Sequence, residues 1–262
     1  QHDANSCRAY SYQVNDGSDS TWGSGNVGAA RLQGSELTLN SSGYASHHWS
    51  GGSSTYIGNH RHLVVFQNGS TSLQCCIVTI SNTDGSITKG TTYTIQSGNQ
   101  HHWSSGATNV PGQSKVVIVY QDYDNEQGYI QALGYSGSGT GVGVSGGRTA
   151  VPNSKNMWRS AVEYDPDTTR VVAMGSQITG EESYNAQTKG FVASVSGYTV
   201  TCGSWNEGTN GYSYYTRLVY DTTNNKMIMI VNNGASSIDM RVLTVSSSAN
   251  SYTYESIKSY GN

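Results

Sequence analysis

Two copies of one unusual tetrapeptide stand 54 positions apart, His47, His48, Trp49, Ser50 and His101, His102, Trp103, Ser104. Imidazoles brought together would suit zinc, nickel or copper, and an exposed indole would stack on the apolar face of a sugar. Adjacent residues of a strand point to opposite sides, so only one histidine of each pair could turn inward. That geometry argues against a metal centre and no metal is expected. His60 and His62 form a further pair, read as part of a hairpin. Asp122, Asp124 and Glu126 alternate like the oxygen ligands of a calcium loop, but the glycine and terminal glutamate spacing of an EF-hand is missing.

Motifs for turnover are hard to find. The chain has no His-Glu-x-x-His and no Gly-x-x-x-x-Gly-Lys-Ser/Thr phosphate loop. Glycoside hydrolysis needs two positioned carboxylates. The candidates Asp122, Asp124, Glu126, Glu163, Asp165, Glu181, Glu182 and Asp239 scatter over ordinary turn positions, where "YDPD" and "YDTT" read as turn initiators. The sequence therefore predicts no catalytic residue and no cofactor.

What positions the histidines and tryptophans is a repeat. Trp49, Trp103, Trp158 and Tyr214 step by 54, 55 and 56 residues. Apolar runs keep the same step: "RAYSYQ", "LVVFQN", "VIVYQD", "VVAMGS" and "MIMIVN", centred near Tyr12, Phe66, Tyr120, Met174 and Ile230. A third series follows each run: "GAARLQ", "CCIVTIS", "YIQALGYS", "FVASVS" and "MRVLTVS". The clearest copy divides into strand-length pieces at 158–165, 170–176, 190–196 and 197–204, joined by polar turns. Four antiparallel strands per unit at this period mark a propeller blade.

Composition agrees. Of 262 residues, 32 are glycine and 19 tyrosine, while only 12% are charged, which favours short strands and tight turns over helices. A net charge of −3 offers no basic field for nucleic acid. No run is long enough for a transmembrane helix, so no membrane insertion is expected. The expected fold is all-β, a single five-bladed β-propeller over 1–262, with blades at about 1–40, 41–96, 97–150, 151–204 and 205–262. Its first blade is incomplete, because the inner strand before the run at 8–13 is missing. Residues 1–6, a segment upstream of Gln1 or another chain should supply that pairing, with the two termini close together.

Segments such as "AVEYDPDTTRVVAMGS" and "RLVYDTTNNKMIMIVN" resemble the divergent blade repeats of propeller modules in phage tail and virion surface proteins and in secreted cell-surface proteins. The resemblance covers most of the chain as a blade pattern and implies a binding or scaffolding role rather than a particular ligand. On a propeller, the starts of the first strands share one face with the loops between second and third strands. That face would carry His47, His48, Trp49, His101, His102, Trp103, Trp158, Arg159, Tyr212 and Tyr214, a set suited to carbohydrate. The tryptophans could equally be wedges between blades, since regular spacing is what packing demands.

Cys7, Cys75, Cys76 and Cys202 leave room for one bridge between blades, such as Cys7 to Cys75 or Cys76, and adjacency makes a Cys75–Cys76 bridge improbable. Asn40 and Asn68 head glycosylation sequons. Two classes of function follow, lectin-like or adhesive recognition of a glycan or cell surface, or a structural subunit that self-associates into a filament, fibre or shell, with a glycoside hydrolase-like propeller as the remote alternative. Either suits a virion surface or an extracellular setting.

Overall fold

A computed structural model describes residues 7–14, 30–40, 53–68, 72–98, 105–122, 124–155, 157–178, 186–209, 216–233 and 237–261. Every element among them is a strand, and no helix is long and apolar enough to cross a membrane. The strands form five antiparallel sheets in chain order. The first pairs β1 (Cys7–Val14) with β2 (Ala30–Asn40). The second orders β3 (Ser53–Gly58), β4 (Arg61–Asn68), β5 (Ser72–Ile80) and β6 (Ile87–Lys89), with β7 (Tyr93–Ser97) also on β5. The third orders β8 (Gly106–Val110), β9 (Lys115–Asp122), β10 (Gln127–Tyr135) and β11 (Val142–Ser145), with β12 (Thr149–Ala150) also on β10.

The fourth sheet contains β13 (Met157–Asp165), β14 (Arg170–Ile178), β15 (Ala186–Ser196) and β16 (Thr199–Cys202), with β17 (Asn206–Thr209) also on β15. The fifth contains β18 (Thr216–Asp221), β19 (Lys226–Asn233), β20 (Ser237–Val245) and β21 (Tyr252–Gly261). The piece expected as the fourth strand at 197–204 holds the short β16, and a further short strand, β17, follows it on β15.

Tight turns set the repeat. Asp165 accepts backbone N–H bonds from Asp167 and Thr168, and Asp221 accepts them from Thr223 and Asn224. These carboxylates close hairpins, as the sequence suggests. The turns end in the left-handed residues His60, Ser114, Thr169 and Asn225, and the basic residues after them, Arg61, Lys115, Arg170 and Lys226, open the four second strands. Counting from them makes Phe66, Tyr120, Gly175 and Val231 equivalent. Met174 and Ile230, taken as centres from hydropathy, sit one residue earlier. A one-residue step reverses the face, and this is visible: Tyr120 packs toward the second sheet but Met174 toward the fifth.

Strand alternation lets one sheet serve two cores. Val116, Ile118 and Tyr120 join Leu63, Val65, Leu73, Cys75 and Ile77 of the second sheet, while Val117 and Val119 join Val171, Ala173, Phe191 and Ala193 of the fourth. Phe66, Cys76 and Val78 point the other way, onto Leu39 and the half-buried Ala9 and Leu37 of the first sheet. The sheets therefore stack face to face in sequence order, with β8 against both β3 and β13, and β13 against β18. This is the stacking of propeller blades, with first strands innermost.

Glycines shape the outer edge. Gly90, Gly146 and Gly203 each donate a backbone N–H to the third strand, at Ile77, Ala132 and Val192. A Cβ on them would lie 2.2, 2.0 and 2.1 Å from the carbonyl oxygens of Thr140, Tyr198 and Asn250 in the turn of the following sheet. Each glycine is a notch that receives the next turn, and the outer strand breaks there, which explains why β6/β7, β11/β12 and β16/β17 come in pieces. In the fifth sheet the equivalent residue is Ser256, opposite Val242, and β21 runs unbroken. Cys75 and Cys76 are free thiols on opposite faces, so the bridge from Cys7 to either of them does not form.

Candidate functional site

Antiparallel pairing brings the ends of the second strands, the starts of the third and the starts of the first to one end of the stack. Most sequence-predicted site residues fall outside the described residues there: His47, His48, Trp49, His101, His102, Trp103, Tyr212 and Tyr214. So do residues 1–6, on which the expectations about the first inner strand and the adjacent termini depend. Arg159 lies in β13, but its side chain is outside the description. Trp158 is placed: it is half-buried in β13, in register with Ser176, on the face turned to the fifth sheet. His60 and His62 belong to the opposite end; His62 lies 5.2 Å from the Tyr56 ring, and burial lowers its pKa. No group of three potential metal ligands occurs among the described residues.

At the same end, between the second and third sheets, the structure assembles a polar and aromatic cluster that sequence reasoning missed. It stands on the core of Leu73, Ile118 and Leu133. The turn "DYDNEQ" sets the register that pairs Tyr120 with Tyr129, and their rings stack at 6.0 Å. Gln131, two residues on, shares their face. Its amide donates to the Gly146 carbonyl at 2.9 Å and its oxygen accepts from the Tyr120 hydroxyl at 3.4 Å. Gly146 is the same notch that admits the Tyr198 carbonyl, so packing between the third and fourth sheets fixes the outer wall of this cluster.

Arg148 follows the notch and folds inward. Its Nη1 lies 2.7 Å from Asp122 Oδ2, and its guanidinium carbon sits 4.1 Å over the Tyr129 ring. Asp122 is 4% exposed, and its other oxygen accepts the Asp124 N–H. The Asp122 oxygens are thus spent on its own turn and on Arg148; Asn125 likewise accepts the Gln127 N–H and donates to the Tyr129 hydroxyl. Burial pushes Tyr120 up to about 12, although Arg148 pulls the other way. Burial opposes the charge on Arg148, but the bond to Asp122 and the adjoining tyrosines outweigh it and raise its pKa. The result is a partly exposed guanidinium held in position, with donors left over beside Asp122 and two tyrosines.

The chemistry available is recognition. A held guanidinium, a carboxylate, an amide and phenols can bind the hydroxyls of a polyol, and aromatic rings supply apolar surface. Asp124 and Glu126 are exposed in the adjoining turn, which disfavours an anionic ligand. Arg148 could have drawn notice only as a lone arginine in a glycine-rich stretch, 26 residues from its carboxylate.

No protein-family model matches the chain, and no curated protein sequence does. Solved structures do. A protein from Lactobacillus plantarum aligns over 97% of this chain and 67% of its own, with 8% identity and a TM-score of 0.60. A triple arginine-to-alanine mutant of AofleA from Arthrobotrys oligospora aligns over 82% of this chain and 59% of its own, with 11% identity and a TM-score of 0.53. The chain therefore spans about two thirds of the first and rather less of the second. An α-L-arabinofuranosidase from Clostridium thermocellum aligns at a TM-score of 0.46 and 8% identity, too distant to speak to activity. These likenesses concern the fold alone.

Proposed function

We propose that the chain is one five-bladed propeller over 1–262, with blades near 1–40, 41–96, 97–150, 151–204 and 205–262, acting as a lectin-like binding module for neutral glycans on a virion or extracellular surface. The observation that carries this reading is the Arg148 cluster. A guanidinium held by Asp122 and stacked on Tyr129 is organised before any ligand arrives, so little entropy is lost on binding. The role is binding without turnover, since Asp122 serves an ion pair and Asp165 and Asp221 serve hairpin closure. Glycan-array screening tests it: the protein should bind a restricted set of neutral sugars, and Arg148→Ala should bind them more weakly while keeping its fold. Equal binding by both proteins, or binding confined to acidic glycans, would overturn it.

One observation favours a structural subunit instead. The far face of the fifth sheet carries Val219 and Ile238, 48% and 50% exposed, beside half-buried Ile228, Ile230, Met240 and Val242. Ile228 and Ile230 stand where Val117, Val119 and their counterparts meet a following sheet. In a closed five-bladed ring the first sheet would cover this face, without the glycine notch used elsewhere. A monomer in dilute solution supports closure, and a stable dimer or larger particle supports the structural subunit.

A further inference from the structure

The interface between the fourth and fifth sheets changes character along its length. Over most of it Met174 and Val192 meet Met229 and Val231 in an apolar layer. Toward the end that carries the Arg148 cluster, the same two faces turn polar. Ser176 follows Met174 on the fourth sheet and pairs with Thr188 on one side and Trp158 on the other. On the fifth, Thr216 pairs with Val231, which pairs in turn with Asp239. Because β18 lies against both β13 and β14, these rows face one another.

The two threonines are fully buried, at 0% exposure, and neither Oγ1 has a hydrogen-bond partner among the described residues. Ser176 and Asp239 are buried beside them, and Trp158 is half-buried at the rim. Valine would fill the place of either threonine without the cost of an unmet hydroxyl. Two such hydroxyls on facing sheets, with a carboxylate and an indole, form the donor and acceptor set of a sugar site.

We infer that this layer is a second ligand subsite, taking the hydroxyls of a neutral sugar. An exocyclic hydroxymethyl or a vicinal hydroxyl pair enters between Thr188, Thr216 and Asp239, and the C–H face of the ring lies on Trp158. Asp239 accepts, the threonines accept and donate, and its carboxylate turns away acidic sugars. The inference rests on the glycan reading and makes the module bivalent within one chain, so that linked glycans would be held by avidity.

The test titrates the full chain with the methyl α-pyranosides of glucose, galactose, mannose and fucose. Calorimetry reads stoichiometry and tryptophan emission reads the Trp158 site. Wild type should bind at two sites, Arg148→Ala at one, and Thr188→Val/Thr216→Val at the other alone. The double valine variant should lose the emission change, as should Trp158→Phe, and its Tm should equal or exceed that of wild type. Two sites retained in the double valine variant, or an unchanged emission response, would overturn the subsite and leave the Arg148 reading standing. A fall in Tm would also overturn it, by showing that the hydroxyls serve the fold; Thr216→Val alone provides the same readings with a smaller change. Loss of all binding in Arg148→Ala would overturn it too, and absence of binding by wild type would overturn both sites.

Discussion

Replacing Gly146 by alanine should destabilise the protein through one contact. The new Cβ would lie 2.0 Å from the Tyr198 carbonyl oxygen and 2.9 Å from its carbon. An ordinary contact needs about 3.5 Å, so the turn of the fourth sheet must retreat by roughly 1.5 Å. The obstacle is backbone, and no side-chain rotation relieves it. Overpacking of this kind costs about 1–3 kcal/mol, against about 0.4–1 kcal/mol gained by stiffening the unfolded chain. A net loss of about 1 kcal/mol would lower Tm by roughly 2–4 °C in a domain of this size. Urea unfolding followed by circular dichroism measures it, and the m-value should stay unchanged. Gly203→Ala, facing the Asn250 carbonyl at 2.1 Å, should behave alike, and Gly143→Ala, with nothing within 4 Å, should stay within about 0.5 kcal/mol of wild type. If Gly146→Ala is as stable as Gly143→Ala, the turns do not seat in glycine notches and the stacking of sheets described above is wrong.

Arg148→Ala should lower stability more than Asp122→Ala, because it removes the ion partner of a buried carboxylate whereas the partly exposed guanidinium can reach water; chemical denaturation should place the difference near 1 kcal/mol. Burial raises the pKa of Glu163, partly offset by bonds from the Tyr164 N–H and the Thr108 hydroxyl. Its folded state holds the proton more tightly than the unfolded chain, so stability falls as pH rises from about 4.3 through the raised value. Glu163→Gln should therefore increase Tm at neutral pH and lose that advantage below about pH 4, which scanning calorimetry across pH checks. Burial, reinforced by the neighbouring Cys76, drives the Cys75 thiol far upward. Neither thiol should react with iodoacetamide until guanidinium unfolds the chain, and early labelling seen by mass spectrometry would contradict their burial.

The repeat was legible because three kinds of residue keep one phase: apolar runs, turn acids such as Asp165 and Asp221, and the aromatics Trp49, Trp103, Trp158 and Tyr214. Phase was less secure than period. Met174 is more hydrophobic than Gly175, so hydropathy centres on the wrong residue, and only the turn register restores the equivalence with Tyr120. The notches at Gly90, Gly146 and Gly203 escaped notice because a glycine acts through what it lacks, and its partner carbonyl lies in another sheet. Arg148 escaped for a related reason. Its meaning depends on Asp122 and Tyr129, which only hairpin register brings beneath it. Among the aromatic candidates, Trp158 alone could be placed, and it belongs to the polar layer rather than to a purely apolar wedge.

A structure of the protein with a neutral sugar selected on the array tests the central claim most directly. The account predicts sugar between the second and third sheets, with hydroxyls on Arg148 and Asp122 and little movement of Tyr129. Sugar bound away from that cluster, with the Arg148–Asp122 pair untouched, would contradict it.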